Sequence, residues 1–284
     1  DKTAAIAYLD SAAKVSPKPV SALLEIARLY TSMKNEVKVV ETYQRVLKHD
    51  PNNFAANFEL GRLHYSKERF EEAEAKFRLA RKANSRDLNT AALLALTQAR
   101  LGKRDDAATN AQAALKIDPK NKMALEIQGY VHESRGKLDE AIATYRKWEK
   151  YYPADGIANR KIGSVLLWQS KRDKALAEFE IALKKNPKDS ELIRTYADTL
   201  FADQKWDKAY AAYQKGLALK PKDPGMMSQA ANCLHKQSKS EEAISLLNKA
   251  IESNPKNSTP LNALAAIYKD QKKDDLAIEQ YKKI

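Results

Sequence analysis

Apolar residues recur along this chain with the spacing of α-helices, and short polar turns separate the apolar stretches. Residues 54–66 and 71–82 each place their apolar side chains on one face of a helix. The recurring positions in and between these two stretches are Leu60, Leu63, Phe70, Ala73, Phe77 and Ala80. The pattern predicts two amphipathic helices joined by a short turn.

The same pair of helical patterns returns every 34 residues. A mostly proline column contains Pro17, Pro51, Ser85, Pro119, Pro153, Pro187, Pro221 and Pro255. Columns of small and of bulky residues keep the same period, and we expect the small ones where two helices cross closely. Because one such unit cannot bury its apolar face alone, an internal repeat of this length predicts a solenoid of stacked units.

The ends of the predicted second helices have their own pattern. Acidic residues open them, and we expect these carboxylates to accept backbone N–H groups and to complement the positive end of the helix. They are Glu71, Asp105, Asp139, Asp173, Asp207, Glu241 and Asp275. The proline column follows the second helix and prevents its continuation.

These columns together resemble the tetratricopeptide repeat family. The similarity rests on the proline column and on three others, namely Ala27/Gly61/Gly129, Ala73/Ala141/Ala209 and Tyr145/Phe179/Tyr213, and it extends over essentially all 284 residues. The resemblance implies an all-α fold, a right-handed superhelical solenoid of stacked helix-turn-helix repeats.

We expect one continuous array over residues 1–284. It would comprise a partial repeat at 1–19, full repeats at 20–53, 54–87, 88–121, 122–155, 156–189, 190–223 and 224–257, and a partial repeat at 258–284. The incomplete units suggest a piece of a longer protein, or ends that a partner chain covers.

The net charge of +13 raises the question of an anionic partner. One basic column lies in the turn between the two helices of each unit: Arg69, Lys103, Lys137, Lys171, Lys205, Lys239 and Lys273. Each is followed two residues later by an acidic residue, so we favour a solvated turn over a nucleic-acid or polysaccharide site.

No pattern in the chain indicates catalysis. The four histidines, His49, His64, His132 and His235, lack the spacing of a zinc site, and there is no glycine-rich phosphate loop or serine elbow. The single cysteine, Cys233, cannot form an internal disulfide. We therefore predict a protein that is not an enzyme and has no cofactor or metal. No apolar run is long enough to predict a membrane span.

The family resemblance also implies a binding groove, because the first helix of each repeat lines the concave face. Nine positions are the predicted partner-binding residues: Phe58, Arg62, Tyr65, Tyr130, Arg160, Leu167, Trp168, Arg194 and Phe201. Leu167, Trp168 and Phe201 would form an apolar pocket, and Arg160 and Arg194 would grip a carboxylate. The alternative is that these side chains only pack against neighbouring helices.

The predicted function is a non-catalytic scaffold that binds a protein or peptide segment in this groove and assembles a larger complex. Three alternatives stay open. The chain could self-associate through its ends, where Leu276, Tyr281 and Ile284 would be contacts. It could bind an anionic polymer along the basic turns, or serve as the non-catalytic arm of an export or enzyme system.

Overall fold

The computed structural model describes residues 1–284 and contains seventeen α-helices and no strand. In chain order the helices are α1 Lys2–Val15, α2 Val20–Ser32, α3 Glu36–His49, α4 Phe54–Ser66, α5 Phe70–Ala83, α6 Leu88–Arg100, α7 Arg104–Ile117, α8 Lys122–Ser134, α9 Leu138–Tyr151, α10 Ile157–Trp168, α11 Arg172–Lys185, α12 Ser190–Ala202, α13 Trp206–Leu219, α14 Pro224–Lys236, α15 Ser240–Ser253, α16 Ser258–Asp270 and α17 Asp274–Lys282. The predicted all-α repeat of helix-turn-helix hairpins is confirmed.

The first helices begin after a side-chain cap that repeats with the 34-residue period. The capping residues are Asn53, Asp87, Asn121, Asp189, Asp223 and Asn257. At α8, for example, the Asn121 Oδ1 atom accepts the backbone N–H of Ala124 at 2.9 Å. Each such cap stabilises its helix by about 1 kcal/mol.

The second helices begin differently, and part of our expectation for them is wrong. In α5, α7, α11, α13, α15 and α17 the N-cap is the basic turn residue, and no side chain caps the helix. The acidic residues lie inside the first turn, where they complement the helix dipole without acting as caps.

Small residues on the first helix of a hairpin face large rings on the second. A methyl group at Gly129 would overlap the ring of Tyr145, and one at Gly163 would overlap the ring of Phe179. Both rings are fully buried. The glycines therefore permit the close approach of the two helices.

The chain forms two compact units, Asp1–Trp148 and Glu149–Ile284. In each unit, consecutive helices pack against one another, and some first helices also contact the next first helix, as with α6 and α8 or α14 and α16. This nearest-neighbour packing is the arrangement of a helical-repeat solenoid. The expectation of one uninterrupted array remains a prediction.

No helix of the chain has both the length and the apolar character needed to cross a membrane.

Candidate functional site

Four predicted groove residues lie in the first unit. Phe58, Arg62 and Tyr65 are on α4, and Tyr130 is on α8, where 38% of it is exposed. Phe58 and Tyr65 are half-buried, and the side chain of Arg62 is mostly exposed.

The aromatic pair on α4 is engaged in packing. Phe58 stacks on Phe54 with 5.7 Å between ring centroids and meets Phe77 at 6.1 Å. Tyr65 makes an edge-to-face contact with Phe70 at 5.4 Å. Much of the surface of both rings is therefore used in packing against neighbouring aromatic side chains.

Arg62 is paired within its own helix and borders a cleft. Its guanidinium lies 3.1 Å from the Glu59 carboxylate, three residues earlier. The cleft has a volume of about 350 Å³ and is also lined by Thr31, Lys34, Glu36, Val39, Leu63 and Ser66. Sequence reasoning did not single out the residues that α2 and α3 contribute to it.

The other five predicted residues lie in the second unit. Arg160, Leu167 and Trp168 are on α10, and Arg194 and Phe201 are on α12. Trp168, the last residue of its helix, is 62% exposed, whereas Leu167 and Phe201 are half-buried. Trp168 therefore presents far more apolar surface than either predicted neighbour.

The two arginines of this set differ in how strongly they are paired. The Arg160 guanidinium lies 3.4 Å from Asp189 and 3.6 Å from Glu191. Arg194 has a looser ion pair, with 3.9 Å between its Nε atom and the Asp198 carboxylate. A ligand carboxylate would compete with two protein carboxylates at Arg160 and with one distant carboxylate at Arg194.

Phe201 packs within its own hairpin. Its ring meets Trp206 edge-to-face at 4.8 Å, and Tyr65 and Phe70 form the same kind of contact at the equivalent positions in the first unit. The same ring contact therefore joins the end of the first helix to the start of the second helix in two hairpins. This recurrence favours a role in hairpin packing.

Two of the basic turn residues are paired with carboxylates, in each case including one from the preceding hairpin. Lys103 is paired with the buried Glu74. Lys205 lies 3.1 Å from Asp173 and 2.7 Å from Asp203. Such pairs leave less positive charge for an anionic polymer on this edge.

Two histidines and the cysteine lie in partly or fully buried positions. Burial lowers the pKa of His64 and of His132. Burial also raises the pKa of the Cys233 thiol to about 12, which makes it a poor nucleophile. No cluster of three or more His, Cys, Asp or Glu side chains could hold a metal ion.

One polar chain was not anticipated from the sequence. His235 on α14 lies 2.9 Å from Ser240 on α15 through Nδ1 and 3.1 Å from Asp270 on α16 through Nε2. Glu241 and Glu242 follow Ser240 in the first turn of α15 and disfavour an oxyanion beside its hydroxyl. These hydrogen-bonded side chains link α14, α15 and α16. The arrangement does not support a hydrolytic role.

Family models and solved structures agree on the fold. Residues 40–87 and 93–156 match the tetratricopeptide repeat model, and residues 168–250 match the model of anaphase-promoting complex (cyclosome) subunit 3. No curated protein is a significant match in sequence.

Three solved structures illustrate the similarity in fold. A tetratricopeptide repeat protein from Parabacteroides merdae is 18% identical, with a TM-score of 0.59 over 81% of this chain and 91% of the other. Pseudomonas aeruginosa PilF is 18% identical, with a TM-score of 0.60 over 73% and 94%. YrrB, a tetratricopeptide repeat protein with an unusual peptide-binding site, is 21% identical, with a TM-score of 0.54 over 66% and 96%.

At these identities the structural likeness establishes the fold alone, whereas the family models match the repeat itself. The columns of small, aromatic and proline residues, the helical hairpins and both model matches agree. The chain belongs to the tetratricopeptide repeat family.

Proposed function

We propose that the chain is a non-catalytic scaffold that binds a protein or peptide segment along the first helices of its repeats. Tetratricopeptide repeats serve in general as protein-interaction scaffolds, and the peptide-binding site of YrrB is in keeping with this role. Because the hairpins are already folded, binding costs little ordering on this side of the complex.

The exposed indole of Trp168 is the observation that supports this proposal most. An aromatic side chain with 62% of its surface in water is not needed for packing, and aromatic and arginine side chains dominate binding hot spots. Leu167 and Arg194 complete the proposed contact within the second unit. Phe201 and Arg160 have supporting roles, since each already has partners.

The test is a capture experiment with the full chain as bait, followed by calorimetry with each captured protein. The variant Trp168→Ala/Arg194→Ala should lose the partner, or bind it about tenfold more weakly, with unchanged helicity. The control is Tyr8→Ala/Arg104→Ala, which removes another exposed aromatic and another exposed arginine.

If both variants retain the partner as the native chain does, the second-unit site is wrong. If both lose it, the binding depends on general surface properties, and the site is again wrong.

Self-association is a second candidate, supported by exposed apolar side chains on α17. Leu276, Ile278 and Tyr281 on this helix are all well exposed, and Ile278 and Tyr281 share a face. If this helix pairs with a second copy, the mass measured by light scattering will rise with concentration, and Ile278→Ser/Tyr281→Ser will abolish the rise. A constant monomer mass would exclude this candidate.

A further inference from the structure

A second basic edge lies at the junctions between hairpins, where each second helix ends and the next first helix begins. We call it the proline edge, because the proline column lies there. Exposed basic residues recur on it at two positions of the repeat: Lys14, Lys48, Lys82, Lys116, Lys150 and Lys184 at one, and Lys18, Arg86, Lys120, Lys188, Lys222 and Lys256 at the other. Both columns of basic residues keep the 34-residue period.

In the first unit, Lys14 is paired with Asp10 at 3.0 Å, whereas three other cations of this edge are not in ion pairs. Lys82, Arg86 and Lys116 are exposed and have no carboxylate within ion-pair distance. Asp87 and Asp118 follow Arg86 and Lys116 closely and offset part of their charge. Their carboxylates accept backbone N–H groups, at 2.6 Å from Thr90 N and at 2.9 Å from Lys120 N, and do not form ion pairs with these cations. The opposite edge differs, because Lys103 and Lys205 there are paired with carboxylates.

Two exposed aliphatic side chains of the first unit directly follow lysines of this edge. Val15 follows Lys14 and Ile117 follows Lys116, and Ile117 is 46% exposed. Lysines near a helix C-terminus also stabilise the helix by complementing its dipole. That effect does not account for Arg86, which lies beyond the end of α5, or for the exposed aliphatic groups.

We propose that the proline edge of the first unit binds an acidic polypeptide segment in which aliphatic side chains alternate with carboxylates. Lys82, Arg86 and Lys116 supply the charge complementarity, and Ile117 supplies an apolar contact beside Lys116. Nucleic acid fits less well, because residues 14–18, 48–52, 82–86 and 116–120 contain no Phe, Tyr or Trp on which a base could stack. This edge is separate from the proposed contact at Trp168.

The test is fluorescence anisotropy of the full chain with a labelled short peptide that alternates Asp or Glu with Val or Leu. The edge variant is Lys82→Glu/Arg86→Glu/Lys116→Glu. The matched control is Arg104→Glu/Lys174→Glu/Lys208→Glu, which changes the net charge by the same amount at other exposed positions. A third variant, Ile117→Ser, tests the apolar contact.

We expect the edge variant to bind the peptide at least about tenfold more weakly, the control within about twofold of the native chain, and Ile117→Ser in between. Trp168→Ala/Arg194→Ala should bind it like the native chain, which separates this proposal from the proposed function. Equal weakening in the edge and control variants would overturn the proposal. It would also be overturned if a peptide with Ser in place of Val and Leu bound as tightly, or if a single-stranded oligonucleotide of equal charge bound more tightly.

Discussion

At the scale of single residues, the turn inside each hairpin stores backbone strain. Eight positions with the 34-residue period have φ between 57° and 71°, the left-handed region that side chains disfavour. Two of them are glycines, Gly102 and Gly136. The other six are Lys34, Glu68, Ser170, Gln204, Ser238 and Lys272. Each of these six residues costs stability that a glycine there would not.

We predict that Ser170→Gly stabilises the protein by about 0.5–1 kcal/mol, since glycine adopts the required φ without strain. The free energy of unfolding in urea measures the gain. The control is Ala177→Gly, an exposed position inside α11, which should destabilise by about 1 kcal/mol. A loss of stability in Ser170→Gly would show that the Ser170 side chain stabilises the turn by more than the strain costs.

The sequence predicts a residue-level feature when that feature recurs with the 34-residue period. The small column predicted a close helix crossing at Gly129, and the Asn and Asp caps were equally periodic and could have been found. The pairing of Arg160 with Asp189 could not, because it depends on side-chain rotamers and on a residue 29 positions away. Periodicity likewise placed Phe201 on its helix but did not reveal that Trp206 covers one face of it.

At the scale of helices, a buried carboxylate joins α5 to the hairpin of α6 and α7. Glu74 stands in an otherwise apolar column, where other units have Val40, Ala108, Ile142, Leu176, Tyr210, Ile244 and Ile278. It accepts hydrogen bonds from Arg78, Gln98 and Lys103. Burial acts to raise its pKa, but these three bonds outweigh burial and lower the pKa below its ordinary value of 4.5.

A lowered pKa in the folded state fixes the sign of the pH dependence. The carboxylate of Glu74 stabilises the fold above its unfolded pKa, and this contribution is lost as the pH falls through the lower folded value. We predict that Glu74→Gln lowers the free energy of unfolding by roughly 1–2 kcal/mol at neutral pH, because it removes two charged hydrogen bonds. The deficit should shrink as the pH falls below 4.5 and disappear once the pH is below the lowered pKa of Glu74 in the folded state, where both side chains are neutral.

Urea denaturation at several pH values measures this difference. Glu72→Gln, at an exposed position on the same helix, is the control and should differ little from the native chain at either pH. A deficit for Glu74→Gln that stayed constant with pH would mean that the shape of the network matters and its charge does not.

At the scale of the whole molecule, stability is expected to vary along the chain because each hairpin depends mainly on its neighbours. The hairpin of α6 and α7 has Ala111 where α5 has Phe77 and α13 has Tyr213, and both rings are fully buried. Replacing a buried aromatic by alanine costs about 3–5 kcal/mol in a typical core. The ion pairs of Lys103 and Arg78 involve half-exposed cations, so each pair contributes only about 1 kcal/mol to the stability of this hairpin.

The missing aromatic therefore outweighs the polar network, and we predict that residues 85–115 open more readily than residues 190–223. Amide hydrogen exchange followed by mass spectrometry should show faster exchange over α6 and α7 than over α12 and α13. The hairpin of α4 and α5 is an internal reference, because it lies in the same unit and keeps Phe77. Equal protection of all three hairpins would mean that the alanine-rich packing around Ala95, Ala107 and Ala111 compensates for the lost ring, since closer helix approach can recover the lost contacts.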